Sequence, residues 1–132
     1  GMNIATLITS LAANFAVVDP PYEHALERAI HMVETSGRTG PIIGDGGASR
    51  GPLQISRAAW KDANMPGKYE DVDDLHYSLR VFRNYMDRYA TKRRLGRKPT
   101  LEDKARIWNG GPNGYKKQAT EVYWRKVLEA LK

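Results

Sequence analysis

The sequence contains no cysteine and only three histidines among its 132 residues. Without cysteine the chain can form neither a disulfide framework nor a thiolate metal site. His24, His31 and His76 are too few and too scattered to predict a histidine metal site. We therefore expect no metal and no cofactor, and interpret the histidines as ordinary surface or core residues.

The sequence also lacks a long apolar run. Polar residues interrupt the mildly apolar stretch from Asn3 to Val18, and no basic region precedes it. These features argue against a signal peptide and against membrane insertion. The apolar residues of this stretch recur at helical spacing, which predicts an amphipathic helix within residues 1–20. They are Ile4, Leu7, Leu11, Phe15 and Val18.

The overall composition is that of an ordinary soluble globular protein, with 41% apolar and 27% charged residues. A length of 132 residues predicts a single domain, 1–132, with a real hydrophobic core. The formal net charge of +6 favours a polyanionic partner. Nucleic acid, anionic lipid and bacterial wall polymers all fit this charge, so charge alone does not choose among them.

The pattern of apolar residues predicts a mainly α protein of the α+β class. A helix with a buried stripe from Ala25 to Val33 ends near Glu34, and the glycine-rich segment 35–51 predicts a loop or a small β-hairpin around Ile42 and Ile43. Further helices are predicted at 56–63, 71–90, 100–108 and 118–131, with a solvated basic turn at 92–98. Helical spacing assigns five aromatic residues to the core, namely Trp60, Tyr85, Tyr89, Tyr123 and Trp124.

Glu34 is the first candidate for chemistry. It lies in the last turn of an apolar helix, where the negative end of the helix dipole disfavours a charged carboxylate. Burial behind Val33 acts in the same direction, so both effects raise the pKa of Glu34. A glutamic acid kept protonated near neutral pH can donate a proton to a leaving oxygen. The alternative is a solvated glutamate at a helix end.

Asp45 is the second candidate, eleven positions after Glu34 and flanked by glycines. Exposed backbone N–H groups in such a loop can hydrogen-bond an ionised carboxylate. One protonated and one ionised carboxyl group are what acid-assisted cleavage of a glycosidic bond requires. The ionised partner either attacks the anomeric carbon or activates water. The alternative is an ordinary turn aspartate.

Six residues are candidates for substrate binding. Ser49 and Gln54 offer polar side chains, Asn109 offers a donor and an acceptor to an acetamido group, and Tyr115 can stack on a sugar. Trp108 and Gly110 complete this set. The alternatives are a simple turn at 109–114 and core packing of Trp108.

Several short segments, in a fixed order, form a recognisable series. They are Glu34-Thr-Ser-Gly, Ser49-Arg-Gly-Pro-Leu-Gln-Ile, Trp60-Lys-Asp-Ala-Asn-Met-Pro-Gly, Asn84-Tyr-Met-Asp-Arg-Tyr-Ala-Thr, Asn109-Gly-Gly-Pro-Asn-Gly and Tyr123-Trp124. In this order they resemble the invertebrate-type lysozymes, also called the destabilase family. The resemblance covers about three quarters of the chain and leaves residues 1–20 outside it.

The resemblance implies a lysozyme-like α+β fold with a small hairpin or loop lining a cleft. It implies that Glu34 is the proton donor, that Asp45 is the second carboxylate, and that the substrate is the β-1,4 bond after N-acetylmuramic acid in peptidoglycan. The expected partner is then a peptidoglycan glycan strand at the cell wall (periplasmic, secreted or phage-delivered). We expect no nucleic-acid partner and a monomer.

The chain also departs from the family in three ways. The family is rich in disulfides, so the lack of cysteine implies a bacterial or phage relative stabilised by packing alone. The interval from Glu34 to Asp45 is one residue shorter than is usual in the family, and Trp108 stands where the family commonly has histidine.

Two other functions fit parts of the same evidence. Lytic transglycosylases share a Glu-Ser-Gly start and a Gly-x-x-Gln-Ile segment, but they use one glutamate without a second carboxylate. A non-catalytic domain that binds peptidoglycan or nucleic acid would also explain the positive charge. Loss of activity on replacing Asp45 would separate the hydrolase from the transglycosylase.

Overall fold

The computed structural model describes residues 21–132, so the predicted N-terminal helix lies outside the described residues. The described helices are α1 (Ala25–Thr35), α2 (Arg57–Ala63), α3 (Leu75–Tyr89), α4 (Lys92–Leu95), α5 (Leu101–Gly110) and α6 (Glu121–Leu131). Strands β1 (Ile43–Gly44) and β2 (Ser49–Arg50) form an antiparallel hairpin in which Ile43 lies opposite Arg50 and Gly44 opposite Ser49. Short 3-10 turns span Asp45–Gly47, Tyr69–Asp73, Gly114–Lys116 and Gln118–Thr120. The predicted fold class, mainly helical with a small hairpin, is confirmed.

The hydrophobic core lies between α1, α3, α5 and α6. Its fully buried side chains come from these helices and from the segment after β2, and include Ile30, Leu53, Leu79, Ile107 and Val127. Helix α1 packs against α6, and α5 packs against both α3 and α6. This arrangement brings the carboxyl end of α1 to the side of α6.

Helix α1 begins and ends much as predicted, but its buried face is narrower than the predicted stripe. Leu26, Ala29 and Ile30 are buried, whereas Ala25 is exposed and Met32 is 47% exposed. The prediction of Met32 as a core residue is wrong because the polar Glu27, His31 and Thr35 fill the adjacent positions on the buried face.

The buried polar residues of α1 all have partners. The Arg83 guanidinium on α3 donates from Nε and Nη2 to the two carboxylate oxygens of Glu27, at 2.9 and 2.8 Å. His31 Nε2 donates to the Arg38 carbonyl at 2.7 Å, since a carbonyl can only accept. The Tyr22 hydroxyl then donates to His31 Nδ1, also at 2.7 Å. These contacts fix α1 along its length.

Two predicted helix starts are confirmed by their caps. The Ser56 hydroxyl accepts from the Ala59 N–H at the start of α2, and Thr100 and Asp103 form a capping box at the start of α5. The start of α3 was predicted too early. Because Asp74 caps the helix, α3 begins at Leu75 and a 3-10 turn occupies the preceding residues.

The basic segment 92–98 is more than the predicted solvated turn. Its first residues form α4, and Arg94 donates hydrogen bonds to the Tyr89 carbonyl at 2.7 Å and the Pro112 carbonyl at 2.9 Å. Arg94 also donates to the Asn113 side chain at 3.2 Å. The segment therefore braces the glycine-rich loop after α5.

None of the helices described between residues 21 and 132 has the length and apolar character needed to cross a membrane.

Candidate active site

One cleft of about 260 Å³ contains most of the predicted site residues. The end of α1, the hairpin, α2 and the last turns of α5 line it, with Glu34, Asp45, Ala48, Ser49, Gln54, Ile55, Ser56, Ala59, Trp108 and Asn109. The two predicted catalytic carboxyl groups therefore share one cleft. A larger groove, about 740 Å³, lies between α1 and α3, but its buried carboxylate, Glu27, is already paired with Arg83.

Glu34 lies in the last turn of α1, which Ser36 ends in a left-handed conformation (φ 56°). Burial is the largest cause that raises the pKa of Glu34, from an ordinary 4.5 to about 7. A hydrogen bond from the Tyr123 hydroxyl lowers this pKa, the negative charge of Asp45 raises it, and Lys126 lowers it. Burial is thus the dominant influence, and it favours the protonated form of Glu34 at a higher pH than for an ordinary glutamate.

Asp45 occupies the turn between the two strands, in the left-handed region (φ 53°), and is exposed. Its carboxylate accepts a hydrogen bond from the Ser49 hydroxyl at 2.8 Å. The loop N–H groups that the sequence suggested as donors do not reach it, since no described backbone N–H donates to this carboxylate. The Ser49 hydroxyl therefore sets the orientation of Asp45.

Gln54 closes the hairpin from inside. Its Nε2 donates to the carbonyls of Ile42 and Gly51, both at 2.9 Å, and its Oε1 lies 3.2 Å from the Ser49 hydroxyl. A Cβ at position 44 would overlap Gln54 Oε1, so any residue other than glycine there would have to displace the Gln54 side-chain amide. The Gln54 amide nitrogen is thus already bonded within the protein.

An ion pair fastens the hairpin to the helical part of the chain. Arg50 on β2 donates from Nε and Nη2 to the Asp73 carboxylate, at 2.9 and 2.8 Å. Both side chains are about one quarter exposed. Next to it, the carbonyl of Val72 approaches Gly51 so closely that a side chain at position 51 would not fit. The hairpin is therefore held by side-chain contacts and by close backbone packing.

Trp108 and Asn109 form the opposite wall, from the last turns of α5. The Trp108 ring packs edge-on against Phe82 and Tyr85, with ring centroids 5.1 and 5.5 Å apart. Neither the Trp108 indole N–H nor the Asn109 side-chain amide hydrogen-bonds to another of residues 21–132. Both groups are therefore available to a ligand in the cleft.

Gly110 and Tyr115 are not among the residues that line the cleft. Gly110 packs so closely against Thr120 that a Cβ would collide with it, and its carbonyl accepts from Lys117 Nζ at 2.8 Å. Tyr115 is partly buried against the core. Gly110 and Tyr115 therefore lie outside the cleft that Trp108 and Asn109 line.

Tyr123 is the site residue that sequence reasoning missed. It was predicted as a core residue, but its hydroxyl donates to Glu34 Oε2 at 2.8 Å. Helical spacing indicates which side of α6 faces inward and cannot identify a partner 89 residues earlier. The only signal for a special role was the Tyr123-Trp124 pair in the family resemblance.

Within residues 21–132, no group of three or more His, Asp or Glu side chains is placed to hold a metal ion.

Comparison with known proteins tests the resemblance. The destabilase family model matches residues 28–130, which include both walls of the cleft. The chain belongs to the destabilase family. It is similar to Lysozyme 1 of Crassostrea virginica, with 43% identity over 81 residues, covering 60% of this chain and 43% of that protein. It is also similar to a lysozyme of Magallana gigas, with 32% identity over 123 residues, covering 91% and 88%.

A solved structure supports the destabilase fold. The lysozyme of Meretrix lusoria, in complex with Aeromonas hydrophila PliI, superposes with a TM-score of 0.72 and 30% identity over 83% of this chain and 90% of that one. The predicted lysozyme-like fold is therefore confirmed. The chain spans about half the length of several of its curated relatives, between 43% and 58%.

Proposed function

We propose that this destabilase-family protein is a peptidoglycan hydrolase of the muramidase type. It cleaves the β-1,4 bond between N-acetylmuramic acid and N-acetylglucosamine. The observation that carries the proposal is the shared cleft of Glu34 and Asp45, in which Glu34 is half-buried with its pKa raised to about 7 and Asp45 is exposed. Two carboxyl groups in such unequal surroundings suit acid-assisted glycosidic cleavage. The relatives named lysozyme support the same reaction.

Glu34 acts as the general acid. In its protonated form it gives a proton to the glycosidic oxygen while the bond from that oxygen to the anomeric carbon breaks. Positive charge then develops on the sugar ring, and the Asp45 carboxylate stabilises it. Asp45 either attacks the anomeric carbon or activates the incoming water, and both routes add one water across the bond.

The other predicted site residues fall into two groups, according to whether their polar atoms are already hydrogen-bonded within the protein. Trp108 and Asn109 contact the sugar, because their donors and acceptors are not bonded within the described residues. Ser49 and Gln54 act mainly by holding Asp45 and the hairpin. Gly110 and Tyr115 contact substrate only if the glycan extends beyond the cleft.

The proposed partner is a glycan strand, and the proposed place of action is the cell wall. The net charge of +6 attracts the protein to anionic wall polymers. We propose no nucleic-acid partner, because the cleft chemistry explains the site without one. A monomer is sufficient, since residues of one chain supply both carboxyl groups.

Product analysis tests the reaction. Purified sacculi are incubated with the wild type, with Glu34→Gln and with the exposed-site control Glu129→Gln, and the released muropeptides are identified by mass spectrometry. Reducing-end muramic acid from the wild type and the control, but not from Glu34→Gln, is the expected result. Anhydro-muramic acid would overturn the proposal in favour of a lytic transglycosylase. Co-sedimentation with sacculi without any product would indicate a binding domain.

A further inference from the structure

The hydrogen bond between Tyr123 and Glu34 joins the proposed acid to the far end of the chain. Tyr123 lies in the first turn of α6, and its hydroxyl donates to Glu34 Oε2 at 2.8 Å. Since α1 packs along α6, the two side chains are held together by two helices of the core. Both residues belong to regular helices, Glu34 to the last turn of α1 and Tyr123 to the first turn of α6.

The hydrogen bond from Tyr123 makes the two oxygens of the protonated Glu34 carboxyl group unequal. A protonated carboxyl group has one carbonyl oxygen, which is the better acceptor, and one hydroxyl oxygen. A donor fixed at Oε2 therefore favours Oε2 as the carbonyl oxygen and leaves the proton on Oε1. Glu34 lines the cleft, and Oε1 makes no side-chain or backbone hydrogen bond to any of residues 21–132. Oε1 is thus the oxygen available to a substrate.

Tyr123 keeps its own proton throughout this process. Burial is the main cause that raises the pKa of Tyr123 well above its ordinary value, and the neighbouring Glu34 charge adds to it. The phenol is therefore a hydrogen-bond donor before and after Glu34 gives up its proton. Once Glu34 is ionised, the same hydrogen bond becomes charge-assisted and stronger.

From this geometry we infer that Tyr123 is a positioning residue for the acid. Its hydroxyl donates a hydrogen bond to Oε2 of Glu34, so that Glu34 presents its transferable proton on Oε1 toward the bound glycan. The inference rests on the proposed role of Glu34. It assigns Tyr123 a function beyond packing, while Tyr123 itself contacts neither the substrate nor the reacting atoms.

The groups around Glu34 allow a clean test by pH. The titratable or charged groups that act on it are Asp45 from the hairpin and Tyr123 and Lys126 from α6. Helix α5 contributes only the uncharged Trp108 and Asn109 to the cleft lining. Removing the Tyr123 hydroxyl takes away a group that stabilises the ionised form, so the pKa of Glu34 should rise.

The experiment compares Tyr123→Phe with Tyr22→Phe. The control also loses one hydroxyl hydrogen bond to α1, of 2.7 Å, but to His31 and not to Glu34. kcat and KM are measured against pH on soluble glycan fragments. For Tyr123→Phe we expect kcat to fall about tenfold with little change in KM. The alkaline limb should move up by about one pH unit, the size expected for one lost hydrogen bond to a charged group. The control should leave the alkaline limb in place.

A second variant reverses the expected shift without changing the shape of the site. Tyr123→3-fluorotyrosine makes the phenol more acidic and hence a stronger donor, so the alkaline limb should move to lower pH. An unchanged alkaline limb in both Tyr123 variants would overturn the inference, because a purely structural tyrosine would alter activity or stability without moving the limb.

A direct titration separates this inference from the proposed function. The Glu34 carboxyl carbon is followed by NMR in the free wild type and in the Tyr123 variants, without substrate. A midpoint that rises in Tyr123→Phe and falls in Tyr123→3-fluorotyrosine supports the hydrogen-bond role even if Glu34→Gln were to retain activity. In that case the proposed function would fail while the coupling between Tyr123 and Glu34 stood.

Discussion

The two carboxyl groups of the cleft are held by very different parts of the molecule. Glu34 ends an eleven-residue helix whose inner face is buried in the core. Asp45 lies between two strands of two residues each, and side-chain hydrogen bonds and one ion pair hold that hairpin. One group is thus carried by a packed helix and held by a hydrogen bond from Tyr123, and the other is carried by a short hairpin that polar contacts hold.

This difference matches the chemistry expected of each group. A proton donor working near neutral pH needs a poorly solvated carboxyl group, and the half-buried end of α1 supplies one. The second carboxyl group lies in an exposed turn, where solvent and the Ser49 hydroxyl surround it. The same nearby negative charge of Asp45 also helps to keep Glu34 protonated. The contrast in burial between Glu34 and Asp45 is therefore itself part of the site.

Replacement of Glu34 is expected to reduce activity most. Glu34→Gln keeps the shape of the side chain but has no proton to donate, so kcat/KM on glycan fragments should fall about 10³-fold. Glu129→Gln, on the exposed face of α6, should match the wild type. A loss of less than about fivefold in Glu34→Gln would break the assignment of Glu34 as the acid.

Replacement of the exposed Asp45 should reduce activity less than replacement of Glu34, but still strongly. Asp45→Asn removes the charge that stabilises the developing positive sugar, and kcat should fall about 10²-fold. Asp87→Asn, an exposed change on α3, is the matched control. Undiminished turnover by Asp45→Asn would mean that Glu34 works alone, as in a lytic transglycosylase.

The raised pKa of Glu34 also predicts how the stability of the fold depends on pH. The pKa of Glu34 is raised to about 7 in the folded protein, so the folded state binds a proton that the unfolded state releases above its ordinary pKa of 4.5. The resulting stability is fully present below pH 4.5 and is lost as the pH rises to about 7. Position 34 does not titrate in Glu34→Gln. Between pH 4 and pH 8 the free energy of unfolding of the wild type should therefore fall by about 3 kcal/mol relative to that of Glu34→Gln.

Urea unfolding at a series of pH values measures this difference. Glu129→Gln should run parallel to the wild type across the series. If the difference in free energy of unfolding between Glu34→Gln and the wild type were the same at every pH, the pKa of Glu34 would not be raised by folding.

The smallest expected effect concerns the polar fastening of the hairpin. Gln54→Ala removes two hydrogen bonds to backbone carbonyls and should lower the free energy of unfolding by about 1–2 kcal/mol. Gln118→Ala, at an exposed position, should change it by less than about 0.5 kcal/mol. Equal thermal unfolding of the two variants would mean that Gln54 does not hold the hairpin.

The sequence predicted features that depend on local patterns. Apolar spacing and the Ser36-Gly37 end placed Glu34 at the end of α1, and the glycine-rich segment indicated the hairpin that carries Asp45. Local patterns could not identify long-range hydrogen bonds. The roles of Tyr123 and Arg94 each depend on a partner that lies distant along the chain or follows an intervening helix.

Thr35 connects the parts of the chain that carry the two carboxyl groups. Its hydroxyl, next to Glu34 in sequence, donates to the Pro52 carbonyl just beyond the hairpin at 2.7 Å, and the residue is almost fully buried. This hydrogen bond joins the end of α1 directly to the segment that leaves β2. A substitution at position 35 would therefore disturb the anchoring of both carboxyl groups at once, although Thr35 itself does not line the cleft.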